Sequence, residues 1–219
     1  MKYLVFLLII TFSISIYLLY NYLNKEKKYN KVCIFDIDNT LTHGSKADEK
    51  NCKVKFNDNI QPGYPINSGS NNAIYSILNK CKKEGYGIAI ATARSGINSN
   101  NSQLKNYLYN LDPTIFNEKF FNSPKFQNSC SIVKSYNKDG IKFCEKNNHG
   151  DKAAMYYNIM NYYNIPPTEW KNSIIFDDDK KHIDTASRLT FKTCQSSKEC
   201  NGNYCDLGCG LNFDCLNII

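Results

Sequence analysis

Residues 31–43, KVCIFDIDNTLTH, decide how this chain is read. Val32 to Phe35 is a continuous apolar run of the kind that forms a strand buried on both faces of a parallel sheet. It ends abruptly on Asp36 and Asp38. Side chains at i and i+2 of extended chain point to the same side, so the two carboxylates converge. Each then raises the cost of ionising the other. A buried strand that delivers two like charges to one place needs a compensating cation, and hard oxygen ligands suit Mg²⁺.

Two further stretches have the same design. Gly87 to Thr92, GIAIAT, reads as a buried strand ending in a hydroxyl, and Ser173 to Asp177, SIIFD, as one followed by Asp178 and Asp179. Helical stripes lie between them. Asn71–Glu84 has apolar residues at 73, 74, 77, 78 and 81 and is closed by Gly85; Ser102–Leu111 and Asp151–Asn164 follow, the last stopped by Ile165-Pro166-Pro167. Short strands are expected around Ser131–Val133 and Ile141–Cys144. Strands alternating with helices predict an α/β fold, a Rossmann-like three-layer sandwich with a mostly parallel central sheet and right-handed crossovers. In such sheets chemistry sits at the carboxyl ends of the strands. Asp36, Asp38, Thr92, Asp177 and Asp178 are all strand-end residues, and Lys152 opens the third helix near the same rim.

These residues make one chemistry. A carboxylate can attack phosphorus and carry it as an aspartyl-phosphate. A second carboxylate can protonate the leaving oxygen and later take a proton from water. A hydroxyl and a lysine ammonium can balance charge on the phosphoryl oxygens.

At this point the sequence resembles the haloacid dehalogenase-like (HAD) superfamily, whose phosphatases carry DxDx[TV] after the first strand. DIDNT, Asp36 to Thr40, matches that motif in full. IAIAT ending at Thr92 is similar to the second motif, Lys152 to the third-motif lysine, and IIFDDDKKHI to the fourth in its paired-acid form. The resemblance spans residues 31 to 189. It implies a HAD-like fold with Asp36 as nucleophile and Asp38 as acid/base, and with Thr92 and Lys152 on the substrate phosphate. Ala93 and Arg94, just past Thr92, are candidate phosphate contacts, Arg94 equally readable as a surface arginine paired with an acid. Magnesium would be held by Asp36, the main-chain carbonyl of Asp38 and Asp178, with Asp177 as a further or supporting ligand. An acid at position 38 implies phosphatase rather than dehalogenase chemistry. Receiver domains share the ingredients in another order, because there the acidic pair precedes the acceptor aspartate. Family members choose substrate with cap insertions; Thr42–Ser70 is too short and loop-like for one, and Thr92–Lys152 is about sixty residues, one helix and a strand or two of the ordinary core. A capless or minimal-cap enzyme with an open site is expected.

The chain of 219 residues, 42% hydrophobic and 13% aromatic, can bury a core. Its charge of +7 comes from scattered lysines beside thirty asparagines, with no basic run and no aromatic–basic recognition motif. That argues against nucleic acid as a primary partner and leaves a positive field for a phosphorylated substrate. Tyr3 to Leu23 carries no charge and, as a helix, would span about 30 Å. It reads as a single-pass membrane anchor over 1–23, with a cleaved signal and a buried helix as the competing readings. A linker over 24–30, a catalytic domain over 31–192 and a tail over 193–219 follow. Lys25, Lys27, Lys28 and Lys31 after the span favour a cytoplasmic catalytic portion. The ten cysteines favour an oxidising compartment, since Cys194, Cys200, Cys205, Cys209 and Cys215 crowd the tail without a CxxC pair and read as disulfides before zinc.

The remaining single residues have plain readings: Cys33 as apolar filler, Trp170 as core, Asp184 as solvated or as a brace for the fourth-motif loop, and His43 and His149 as loop. Beside the Mg²⁺-dependent phosphomonoesterase stand two alternatives: a catalytically silent binding module that keeps the fold, and a phosphotransferase.

Overall fold

The structure, a computed structural model, describes residues 12–17, 28–38, 40–41, 68–93, 102–128, 136–138, 141–143, 152–196, 211 and 213–219; for 68–72, 102–104, 136–138 and 141–143 it describes the backbone alone. The elements in chain order are β1 (Val32–Phe35), α1 (Ser68–Lys83), β2 (Gly87–Ala91), α2 (Ser102–Leu111), α3 (Glu118–Phe121), β3 (Phe126–Gln127), β4 (Tyr136–Lys138), β5 (Ile141–Phe143), α4 (Lys152–Tyr162), β6 (Ile174–Asp177), α5 (Lys180–Arg188) and β7 (Lys192–Gln195). A 3-10 turn over Pro167–Asn172 precedes β6, and another, Phe213–Ile218, lies near the C-terminus.

Five strands form one sheet in the order β3-β2-β1-β6-β7, every pair parallel. Alternation along the strands divides the core in two. Cys33, Phe35, Ile88, Ile90, Ile174 and Phe176 face α1 and α2, meeting Ile74, Ile77, Leu78 and Leu108. Val32, Ile34, Ala89, Ala91 and Ile175 face α4, meeting Met155, Tyr156, Ile159 and Met160 with Ala186 of α5. This is the expected three-layer α/β sandwich. The chain moves outward from β1 through β2 to β3, then returns to the other side of β1 with β6 and β7. The order therefore reverses between β1 and β6. At such a point the connecting segments diverge to opposite faces and leave a crevice at the carboxyl ends of the strands.

Gly85 ends α1 at φ +80, its amide donating to the carbonyl of Lys82 at 3.1 Å. A Cβ there would meet nothing within 4 Å, so its cost is backbone alone. Gly85→Ala is expected to destabilise the fold by about 1 kcal/mol, read from urea denaturation midpoints.

Several elements differ from the sequence expectations. The strand expected near Ile141 exists but lies outside the main sheet: β5 pairs antiparallel with β4 in a separate two-stranded sheet. The residues between them in sequence are Asp139 and Gly140, a pair that favours two-residue hairpins. Ser131–Val133 lies outside the described residues. Neither β3, only two residues long, nor β7 has enough pattern to stand out in the sequence. β7 alternates exposed and buried as an edge strand does, and it crosses the boundary expected after residue 192. Leu211 and Cys215 are fully buried in the core beside α1. Cys33 is not filler: it is joined to Cys81 of α1, with Cα atoms 6.5 Å apart, and Cys194 is joined to Cys215 at 5.7 Å. Each disulfide ties the sheet to the layer that covers it.

Candidate active site

The site grows out of β1 and β6. The amide of Asp36 donates to the carbonyl of Phe176 at 2.8 Å, so the parallel ladder continues one residue past β1 and fixes Asp36 beside Asp177. The amides of Thr40 and Leu41 then turn back onto the carbonyl of Ile37 at 3.2 and 2.9 Å, ending the extended run. Lys152, the first residue of α4, reaches across. Its Nζ donates to Asp36 Oδ1 at 2.7 Å, to Asp177 Oδ2 at 3.0 Å and to the carbonyl of Ala91 at 2.5 Å. All three donor positions of the ammonium are used. One cation thus ties together the ends of β1, β2 and β6. The three side chains are almost wholly buried, at 2% exposure for Lys152, 7% for Asp36 and 1% for Asp177.

Asp36, Asp177 and the buried Asp178 each place a carboxylate oxygen within 4.8 Å of the others. Three carboxylates against one ammonium leave about two negative charges in a dry crevice. A divalent cation with oxygen preference fits that donor set.

The electrostatics show the imbalance. Burial pushes the Asp36 carboxyl from 3.8 up to about 7; Lys152 opposes this, while Asp177 and Asp38 add to it. Burial also works against the Lys152 ammonium, but Asp36 and Asp177 outweigh it and hold the lysine above its ordinary value. Burial raises Asp177 too, yet the hydrogen bond from His182, the charge of Lys152 and the Asp179 amide bring it below the usual range. The two carboxylates facing Lys152 are therefore unequal, with Asp177 the firmly ionised one. Asp36 is raised in the folded state, so metal-free protein binds more protons folded than unfolded between about pH 4 and 7. Its stability in EDTA should fall as pH rises through that window, by on the order of 4 kcal/mol at most. Urea denaturation at pH 5 and pH 8 checks this, and Asp36→Asn should flatten the difference.

The supports were not legible in the sequence. Nδ1 of His182, on α5, lies 3.1 Å from Asp177 Oδ1, and the Asp179 amide donates to the same oxygen at 2.9 Å. His182 thereby leaves Asp177 Oδ2 aimed at Lys152. Asp179 caps α5 by accepting from the Lys181 amide at 2.9 Å. From β7, Gln195 Nε2 donates to the carbonyl of Asp178 at 3.2 Å, and the Ser196 amide to that of Asp177 at 3.0 Å. The Ser196 and Thr40 hydroxyls meet at 3.0 Å. A histidine five residues after a strand-end acid, one turn into a helix, is the signal that could have found His182. His182→Ala is expected to weaken binding of a divalent cation at the three carboxylates about tenfold, partly restored by His182→Gln. Titration of wild type and variants with Mg²⁺ or Mn²⁺, followed by calorimetry, checks it.

The other expected residues divide. Asp38 is half-buried and adds its charge against Asp36, but its carboxylate is not among the three clustered ones. Thr92 is fully buried just beyond Ala91, its amide donating to the carbonyl of Gln127 at 3.0 Å, and Ala93 follows half-buried. Arg94, His43 and His149 lie outside the described residues. Asp184 pairs with Lys180 at 2.8 Å on the exposed face of α5, the solvated reading. Trp170 is core, its indole donating to the carbonyl of Ile165 at 3.1 Å.

Cys194 and Cys215 are taken by a disulfide rather than by zinc, and Cys200, Cys205 and Cys209 lie outside the described residues. Two disulfides point to an oxidising environment. Among the described residues no helix is long and apolar enough to cross a membrane. Of the expected anchor, only 12–17 is described, as a helical segment with exposed side chains.

Fold and site together define a Rossmann-like α/β protein with a lysine-bridged acidic centre at its switch point. Its neighbours among solved structures are HAD-like hydrolases and phosphatase domains. One is the phosphatase-containing N-terminal part of a Bacteroides fragilis protein complexed with Mg, at 18% identity and TM-score 0.42, covering 78% of this chain and 37% of that one. A HAD-like family hydrolase of Porphyromonas gingivalis follows at 14% and 0.41, covering 78% and 93%. A Bacteroides vulgatus protein described as a beta-phosphoglucomutase is 12% identical at 0.44, covering 85% and 84%. The chain thus spans little more than a third of the first of these. No protein-family model and no curated protein matches it.

Proposed function

We propose that this chain is a HAD-like phosphatase that hydrolyses phosphate monoesters through an aspartyl-phosphate on Asp36. The observation that carries the reading is the grip of Lys152 on Asp36 and Asp177, with Asp178 clustered beside them. A structural ion pair needs one acid for one base; a surplus of buried carboxylates on a lysine suits the handling of a bound anion and its counter-ion.

Asp36, as the carboxylate, attacks phosphorus; its oxygen forms a bond to phosphorus while the ester oxygen leaves. Asp38 gives that oxygen a proton. In the second half Asp38 takes a proton from water, whose oxygen displaces Asp36 and releases inorganic phosphate. Lys152 stays fixed on Asp36 and Asp177 and presents its charge to the phosphoryl oxygens, and Thr92 offers its hydroxyl at the same rim. Asp36, Asp178 and the main-chain carbonyl of Asp38, supported by Asp177, would hold Mg²⁺, which when bound offsets carboxylate charge and polarises the phosphoryl group. The protein would sit in a membrane by its N-terminal segment, its catalytic part in an oxidising compartment. The substrate is a phosphorylated small molecule or macromolecule admitted to an open site.

The test is hydrolysis of a chromogenic aryl phosphate by full-length protein in neutral detergent. Turnover should need Mg²⁺, fall at least a hundredfold in EDTA and return when Mg²⁺ is restored. No turnover across a broad panel of phosphate monoesters would favour a binding module and sink the proposal.

A further inference from the structure

The turn that leaves β1 carries Asp38 between two fixed points. At one end the Asp36 amide is tied to the carbonyl of Phe176 at 2.8 Å. At the other stands Thr40, fully buried, whose amide closes onto the Ile37 carbonyl at 3.2 Å. Thr40 is also held from outside the turn, by both of its oxygens. Its hydroxyl meets that of Ser196 at 3.0 Å, and its carbonyl accepts the amide of Leu211 at 3.2 Å. A short turn pinned at both ends leaves the residue between them little freedom.

Both holding residues belong to the chain beyond β7. Ser196 faces the other acidic loop as well: its amide donates to the Asp177 carbonyl at 3.0 Å, while Gln195 Nε2 donates to that of Asp178 at 3.2 Å. One serine therefore joins the loop after β1 to the loop after β6, across the point where the strand order reverses. Ser196 is 1% exposed and Leu211 fully buried. Parting Ser196 from Thr40 would leave the Thr40 hydroxyl in a dry space, which is costly.

Secondary structure alone does not keep this segment in place. β7 is an edge strand, and the 3-10 turn over Phe213–Ile218 has only six residues, a geometry that is weak by itself. The Cys194–Cys215 disulfide ties one to the other across 21 residues of chain, both cysteines being buried. Ser196 follows Cys194 by two residues and Leu211 precedes Cys215 by four. Both contacts on Thr40 thus fall inside the loop that the bond closes, where covalent closure removes alternative conformations. From α1, Lys80 Nζ donates to the carbonyl of Leu216 at 2.6 Å and fixes the far end to the layer beneath.

We infer that the disulfide-closed chain from Cys194 to Cys215 is a clamp that positions Asp38: Ser196 and Leu211 hold Thr40, and the bond holds Ser196 and Leu211. These are positioning residues, acting on the reaction only through the turn. The inference rests on the reading of Asp36, the Asp38 carbonyl and Asp178 as Mg²⁺ ligands, and two measurements keep the two apart. Calorimetric titration of full-length protein with Mg²⁺ tests them together. Hydrogen exchange in EDTA at the Leu41 amide, which donates to the Ile37 carbonyl at 2.9 Å, tests the clamp by itself. Thr40→Val keeps the shape and loses the hydroxyl, so it should weaken Mg²⁺ binding and lower protection of that amide, each about tenfold. Thr40→Ser keeps the hydroxyl and should stay within about twofold of wild type in both. Cys194→Ser/Cys215→Ser should lose at least as much as Thr40→Val, with a lower thermal midpoint; should it fail to fold, the Thr40 pair decides. Gly85→Ala, destabilising at the amino edge of the sheet, should change neither readout. Wild-type protection in Thr40→Val, or Thr40→Ser as impaired as Thr40→Val, overturns the clamp. Wild type that binds no Mg²⁺, with protection lost in Thr40→Val, overturns the cation reading and supports the clamp.

Discussion

Asp36→Asn should remove aryl phosphate turnover by a factor of about 10⁴ or more, to the limit of detection, while leaving the fold intact. On the proposed mechanism the amide cannot form the aspartyl-phosphate, so the loss is of the reaction path and not of a contribution to it. Burial already places the Asp36 carboxyl at about 7, so at pH 7 the metal-free fold holds about half of it as the neutral acid, which asparagine imitates. Stability in EDTA should therefore change little at pH 7 and rise at pH 8, where the wild-type carboxyl is mostly ionised. Asp38→Asn separates the two half-reactions. An aryl leaving group departs without a proton, so phosphorylation should proceed while hydrolysis slows about 10²- to 10⁴-fold. A burst of phenol followed by a slow phase, with phosphate trapped on protein, is the expected record. Full steady-state turnover in Asp36→Asn would end the covalent mechanism.

Lys152→Met should be damaging in both respects. Its ammonium makes three short contacts with groups from three strands, and among the described residues no other lysine or arginine pairs with Asp36 or Asp177. Removing it leaves Asp36 and Asp177 facing each other in a buried space. Breaking a buried pair in this way costs about 3–5 kcal/mol. At 2–4 °C per kcal/mol for a chain of this size, the midpoint in EDTA should fall by about 6–20 °C. Mg²⁺ should recover part of the stability, because its charge relieves the same carboxylates. Turnover should drop by at least about 10²-fold even at saturating metal, since on the proposed mechanism the phosphoryl oxygens lose the fixed charge of the ammonium. The double variant Lys152→Met/Asp36→Asn should be more stable in EDTA than Lys152→Met alone, because one of the two stranded carboxylates is gone. Equal midpoints for wild type and Lys152→Met would mean that the ion pairs do not hold this edge together.

The local signals in the sequence were strong where burial is complete. Val32–Phe35 and Gly87–Ala91 are apolar at every position because both faces of a central parallel strand are covered, and both were legible for that reason. Phe126–Gln127 was not, since two residues carry no period, and Lys192–Gln195 was not, since an edge strand buries only one side. The site followed the same rule. Asp36, Asp177 and Asp178 announce themselves as charges at the ends of apolar runs, and Lys152 as the charge that opens a helix. His182, Gln195 and Ser196 sit among ordinary polar residues and matter only through the oxygen each one faces.

Residue order along the chain dictates the periodicities, and with them a layered α/β chain whose chemistry-bearing residues fall at strand ends. Those are properties of neighbours along the polymer, where alternation and apolar runs are written directly. Tertiary structure alone decided which strands stand side by side, and so put the reversal of strand order between β1 and β6. It also decided which sulfurs meet, that Cys33 pairs with Cys81 and Cys194 with Cys215, and that residues beyond 192 brace the acidic crevice. These are contacts between groups 17 to 156 residues apart. Their free energy comes from burial and charge compensation in three dimensions, which no local pattern encodes.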